Sequence, residues 1–134
     1  MRFMLLMIPH GYESAEPDVM PEPEAVKKMM RYNESLKAAG VLLALEGLHP
    51  TSVGARVYFD GDKPRVVSGP FPGVQEALGG FWILDVKSKE EAIQWASRCP
   101  ASANEVIEVR EIQEFDDFPE EIQQAIGDSK NLMG

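Results

Sequence analysis

The chain has 134 residues, 44% of them hydrophobic and 26% charged, with a net charge of −9. That suits one domain with one core and lacks the basic stripe expected of a protein that binds DNA or RNA directly. No apolar run approaches the roughly 20 residues of a membrane helix, Met1 to Ile8 is too short in apolar residues for a signal peptide, and the single cysteine, Cys99, excludes a disulfide framework or a multi-cysteine metal site. A cytoplasmic location with no membrane partner and no cofactor is therefore expected.

The charge is uneven. Residues 1–104 carry 13 acids and 11 bases, whereas residues 105–134 carry 9 acids and 2 bases. We divide the chain into a folded domain, 1–114, and an acidic C-terminal tail, 115–134, which keeps a protein soluble and repels nucleic acid.

In chain order, Phe3 to Ile8 reads as a first strand, apolar on both faces. Pro9-His10-Gly11-Tyr12-Glu13 opens a polar loop. Pro23 suits the first turn of a helix, in which Ala25, Met29, Tyr32, Leu36 and Ala39 recur at helical spacing and Gly40 is the C-terminal cap. Val41 to Leu45 is a second apolar strand, followed by a turn at Glu46-Gly47-Leu48-His49-Pro50. Ala55, Val57 and Phe59 alternate with Arg56 and Tyr58 as in a half-buried strand. Asp60-Gly61-Asp62 is a hairpin signal, and Arg65 to Ser68 is the return strand, marked as an edge by Pro64.

Ser68-Gly69-Pro70-Phe71-Pro72-Gly73 is a stiff, turn-rich loop, with a short helical turn expected at Val74 to Leu78. Gly80 to Val86 is then a central strand with Phe81, Ile83 and Asp85 on one face and Trp82, Leu84 and Val86 on the other. Such continuous apolarity belongs to a strand covered on both faces. Ser88-Lys89-Glu90-Glu91 is a capping box opening a helix that carries Ala92, Trp95, Ala96 and Cys99 on one side and stops at Pro100. A last strand runs from Val106 to Ile112, and a short helix is expected from Pro119 to Ile126.

Without the hairpin, two strand–helix–strand units remain. In tandem they predict an α+β fold of the ferredoxin-like, split βαβ kind, with an antiparallel sheet and an inserted β-hairpin. Right-handed crossovers put both helices on one face. The other face is then apolar and uncovered, a condition rare in monomers, so a homodimer with sheets packed face to face is expected.

Several segments resemble one family. Ser68-Gly69-Pro70-Phe71, followed by Leu78-Gly79-Gly80-Phe81-Trp82-Ile83-Leu84-Asp85-Val86, is similar to the signature of YCII-related proteins of the DGPF subfamily. Ala38 to Leu42, Glu46 to Pro50, Glu91 to Pro100 and Val106 to Arg110 resemble its remaining segments, so that the likeness spans roughly residues 2–112. The resemblance implies a dimeric α/β-barrel of largely unassigned function. Some relatives are linked to extracytoplasmic-function sigma factors, and a His–Asp pair is proposed in the broader group. Ser68 stands where the subfamily usually has Asp, and the first helix has no His to supply such a pair.

From the residues themselves, His10 and His49 are the candidate catalytic groups, since histidine titrates near neutrality; solvent-facing loop histidines are the alternative. Glu46, Ser68, Phe71 and Trp82 are the candidate ligand-binding residues. Phe71, between two prolines, is the favoured pocket wall, with Tyr58 and Trp82 as further aromatic lining. A metal site would want Glu46 as a third ligand beside the histidines, and none is expected. Asp85 should form an ion pair with Arg98 or Arg110, and Cys99 should pack as a small apolar group. Three functions fit: a dimeric small-molecule-binding or regulatory module; a cofactor-independent isomerase- or lyase-like enzyme using a histidine in the barrel cleft; and an interaction protein whose acidic tail meets a basic partner.

Overall fold

The computed structural model describes residues 1–18 and 20–127. These form an α+β fold with a four-stranded and a two-stranded antiparallel sheet. Strands β1 (Arg2–Ile8), β2 (Leu42–Gly47), β5 (Gly80–Asp85) and β6 (Val106–Glu111) build the larger sheet in the order β2–β5–β1–β6. Strands β3 (Ala55–Tyr58) and β4 (Arg65–Ser68) pair only with each other. Helix α1 (Pro23–Ala38) links β1 to β2, α2 (Lys89–Ser97) links β5 to β6, and α3 (Glu120–Ile126) lies in the acidic tail. Each crossover therefore skips one strand of the sheet.

The helices start and stop where their end residues require. Pro23 occupies the first turn of α1, and Gly40 lies just past its end at φ +75°, the left-handed position that favours glycine. At α2 the Ser88 hydroxyl accepts from the Glu91 amide at 3.1 Å. The Glu91 carboxylate accepts from the Lys87 amide rather than the Ser88 amide, at 2.8 Å, so the expected capping box closes one residue early.

Alternation sorts the sheet into two faces. Phe3, Leu5, Trp82 and Leu84 turn to the helices and pack with Tyr32, Leu36 and Ala92. Leu5 and Leu84 are fully buried. Met4, Leu6, Phe81 and Ile83 turn the other way. They lie outside that core and are only half-buried.

Four expectations need correction. Glu46 and Gly47 belong to β2 and pair with Phe81 and Gly80; they are not a turn. Pairing extends because Gly80 has no side chain: a Cβ there would lie 2.6 Å from the Glu46 carbonyl oxygen. The β3 alternation does not bury Ala55, Val57 and Phe59. Val57 is 49% and Phe59 80% exposed, because among the described residues the hairpin pairs only with itself. Residues 74–78 form no helical turn. Finally, Asp85 pairs with the Met1 ammonium at 3.1 Å, not with Arg98 or Arg110, because antiparallel pairing sets it opposite Arg2 at the first end of β1.

Arg2 holds the Glu114 carboxylate through two hydrogen bonds of 2.6 and 3.0 Å, tying the start of β1 to the segment after β6. That hydrogen bonding lowers the Glu114 pKa, outweighing the opposing effect of desolvation. A carboxylate favoured in the folded state stabilises above its unfolded pKa of about 4.3, and its contribution fades as the pH falls through the lower folded value. Carboxyl NMR titration should place the Glu114 midpoint below the ordinary glutamate range, and Arg2→Gln should raise it back towards that range. A midpoint unmoved by Arg2→Gln would show that the pair does not govern this titration.

Candidate functional site

A cleft of about 220 Å³ lies between α1 and the Gly47 and Gly80 ends of β2 and β5. Met7, Leu45, Gly80 and Trp82 form the sheet side, and Met29 and Asn33 the helix side; among the described residues Glu46 is the one ionisable group lining it. The chemistry is thus apolar and soft, with two thioethers that adapt to the shape of what they touch.

Trp82 is the most constrained of these side chains. Its indole Nε1 donates to Asn33 Oδ1 at 2.8 Å, and its ring meets Tyr32 edge-on at 5.7 Å between centroids. Tyr32 Oη in turn donates to the Trp95 carbonyl at 2.7 Å, and burial raises the Tyr32 pKa above the ordinary tyrosine range. One chain of contacts therefore runs from the cleft through α1 to α2.

Of the residues named from sequence, Glu46 and Trp82 line this cleft, whereas His10, His49, Ser68 and Phe71 are not among its lining residues. Both histidines are exposed. Their loops nevertheless meet: the Tyr12 hydroxyl, two residues after His10, donates to the carbonyl of Leu48, the residue before His49. Ser68 ends β4 and is exposed.

The expected aromatic lining is dispersed. Phe71 lies under the Arg56 guanidinium at 4.5 Å and Tyr58 under that of Arg65 at 4.6 Å, while Trp82 is in the main sheet. The turn-rich loop is anchored by close backbone approach: a Cβ on Gly69 would collide with the Thr51 carbonyl. The Gly69–Pro70 peptide is cis.

A model of the YCII-related domain matches residues 1–116. The chain belongs to the YCII-related family. No curated protein matches it.

In this YCII-related chain the residue that sequence reasoning missed is Asn33. It stands on the same helical stripe as Met29 and Leu36, and an amide on an otherwise apolar stripe signals a buried polar partner. The partner itself, Trp82, is 49 positions away, and no sequence pattern names it. Cys99 packs against Met29 with the sulfurs 4.0 Å apart. Burial, helped by the charge of Glu105, pushes its thiol up to about 11, which leaves little thiolate at neutral pH. Among the described residues no three His, Cys, Asp or Glu side chains gather as a metal site would need.

Proposed function

We propose that this protein is a dimeric small-molecule-binding or regulatory module, and that its ligand occupies the cleft beside Trp82. The carrying observation is the cleft itself: about 220 Å³, apolar, with Asn33 and Glu46 as its polar groups. An apolar cavity of about 150 Å³ holds benzene, so a compact aromatic or aliphatic molecule fits.

The strand order β2–β5–β1–β6 supports reading the fold as a split βαβ, and the half-buried apolar face opposite the helices favours sheet-to-sheet pairing of two copies as a dimeric α/β-barrel. The Ser68-Gly69-Pro70-Phe71 loop favours the DGPF subfamily, and with it a regulatory role beside an extracytoplasmic-function sigma factor.

Gly47 offers a clean test. It lines the cleft, and a Cβ added to it meets nothing within 4 Å. Gly47→Leu should therefore fill the cleft and leave stability within about 1 kcal/mol of the parent. Native mass spectrometry and fluorescence titration with indole should show binding in the parent and at least a roughly tenfold loss in the variant. Equal indole affinity in both, or none in the parent, would remove the cleft as the site.

A second reading, a cofactor-independent isomerase- or lyase-like enzyme, draws on the Tyr12–Leu48 contact that joins the loops of His10 and His49. His49→Ala separates the two readings. A binder keeps its ligand affinity in that variant; an enzyme loses turnover while Gly47 is intact.

A further inference from the structure

We propose that the groove between α1 and the end of α2 is a second binding site, and that it takes a small multivalent oxyanion such as a phosphate-bearing molecule. The groove encloses about 250 Å³ and shares no lining residue with the cleft beside Trp82. Lys28, Arg31 and Ser35 reach it from one stripe of α1, and Arg98 from the end of α2, over a floor of Tyr32 and Trp95.

The charge arrangement carries the argument. This is a chain of net charge −9, yet among the described residues the groove is lined by three cations and no carboxylate. Elsewhere Arg2 pairs with Glu114, Lys27 with Glu24, Arg65 with Asp60 and Arg110 with Glu108, whereas Lys37, Arg56, Lys63, Lys87 and Lys89 form no ion pair among the described residues and line neither this groove nor the cleft beside Trp82. Lys28, Arg31 and Arg98 have no ion-pair partner among the described residues. Like charges held together without counter-charges repel, and an anion relieves that repulsion.

The groove is also held in shape before any ligand arrives. Tyr32 Oη ties α1 to the Trp95 carbonyl at 2.7 Å, and the Arg98 guanidinium lies 4.6 Å over the Trp95 ring. The Arg98 side chain is thus placed by stacking while its N–H groups remain free to donate, the combination that suits forked recognition of phosphate oxygens. The carbonyl end of α2 opposes an anion with about half a charge, against three full cations. A single carboxylate would leave two of the three uncompensated, which favours a polyanion.

The test is calorimetric titration of the full chain with pyrophosphate at low salt. Saturable binding that weakens with added chloride is expected. Arg31→Gln and Arg98→Gln should each weaken it roughly tenfold, the scale of a lost charge-assisted contact, and the double variant should abolish it. Lys63→Gln, on the hairpin, should leave it unchanged, as should Gly47→Leu, which separates this site from the cleft beside Trp82. All four positions are exposed, so thermal melts should match the parent. Absence of saturable binding, or affinity unmoved in the double variant, would overturn the assignment. So would capture of a glutamate-rich peptide by a chain that ignores pyrophosphate, because the groove would then be a protein-docking surface.

Discussion

Trp82→Ala should lower the unfolding free energy by about 3–5 kcal/mol, the range for removing a large buried aromatic side chain. Trp82 is 6% exposed and sits on the helix-facing side of β5, opposite Leu5 and Leu45 in the neighbouring strands. Truncation leaves a void under α1, removes the edge-on contact with Tyr32 and deprives Asn33 Oδ1 of its donor. The last loss is the smallest of the three. Asn33 is only half-buried, so water can replace the indole N–H, and a typical hydrogen bond contributes about 1 kcal/mol net. Trp82→Phe keeps most of the ring volume and should therefore cost only about 1–2 kcal/mol. Urea unfolding of both variants gives the comparison. A phenylalanine variant as damaged as the alanine one would mean that the Asn33 bond, not packing, holds α1 to the sheet. Indole binding should fall in the alanine variant as well, since Trp82 forms the sheet side of the cleft.

Leu6→Lys should separate the proposed dimer into monomers while leaving each monomer folded. Leu6 is at the centre of β1 on the face away from the helices, with Phe81 on one side and Glu108 on the other. In a single chain it is half-buried and outside the core cluster. A lysine there extends into water and stands beside the Glu108 carboxylate, so monomer stability should change by no more than about 1 kcal/mol. Between two packed sheets the same ammonium would be stripped of water, and the neighbouring Glu108 carboxylate is already held by Arg110 at 3.1 Å, so the added charge has no counter-charge of its own. An unpaired buried charge costs about 3–5 kcal/mol, which weakens association by roughly a hundredfold or more. Analytical ultracentrifugation of the parent should give a species of twice 14.9 kDa, and of the variant a species of 14.9 kDa. A parent that sediments at 14.9 kDa throughout the micromolar range would end the dimer reading.

These two substitutions share the larger sheet but probe its opposite faces, and the faces differ in how they follow from the chain. Alternation along Gly80 to Asp85 was enough to separate Trp82 and Leu84 from Phe81 and Ile83, because in a strand the side chain's face depends only on whether its position is odd or even. Helix ends were equally local. Pro23, Gly40, Ser88 and Pro100 act through the backbone within one turn, so α1 and α2 follow from the residues at their ends. The hairpin shows the limit of such reasoning. Ala55, Val57 and Phe59 alternate as a half-buried strand should, yet β3 is exposed because among the described residues its only pairing partner is β4. Periodicity describes what a strand can bury, not whether anything comes to cover it.

By itself the sequence determined the main elements, the faces of the central strand, the turn-rich loop from Ser68 to Gly73, and the family likeness carried by Ser68 to Phe71 and Gly79 to Val86. Tertiary structure alone decided which side chains meet. Trp82 finds Asn33 across 49 positions. Tyr12 brings the two histidine loops together. Asp85 pairs with the Met1 ammonium instead of Arg98 or Arg110. Lys28, Arg31 and Arg98 converge on one groove from two helices. The physical reason is the same in each case. Backbone preferences act over a few residues, whereas a cleft or a charge cluster depends on strand order and helix placement, which bring distant positions within a few ångströms.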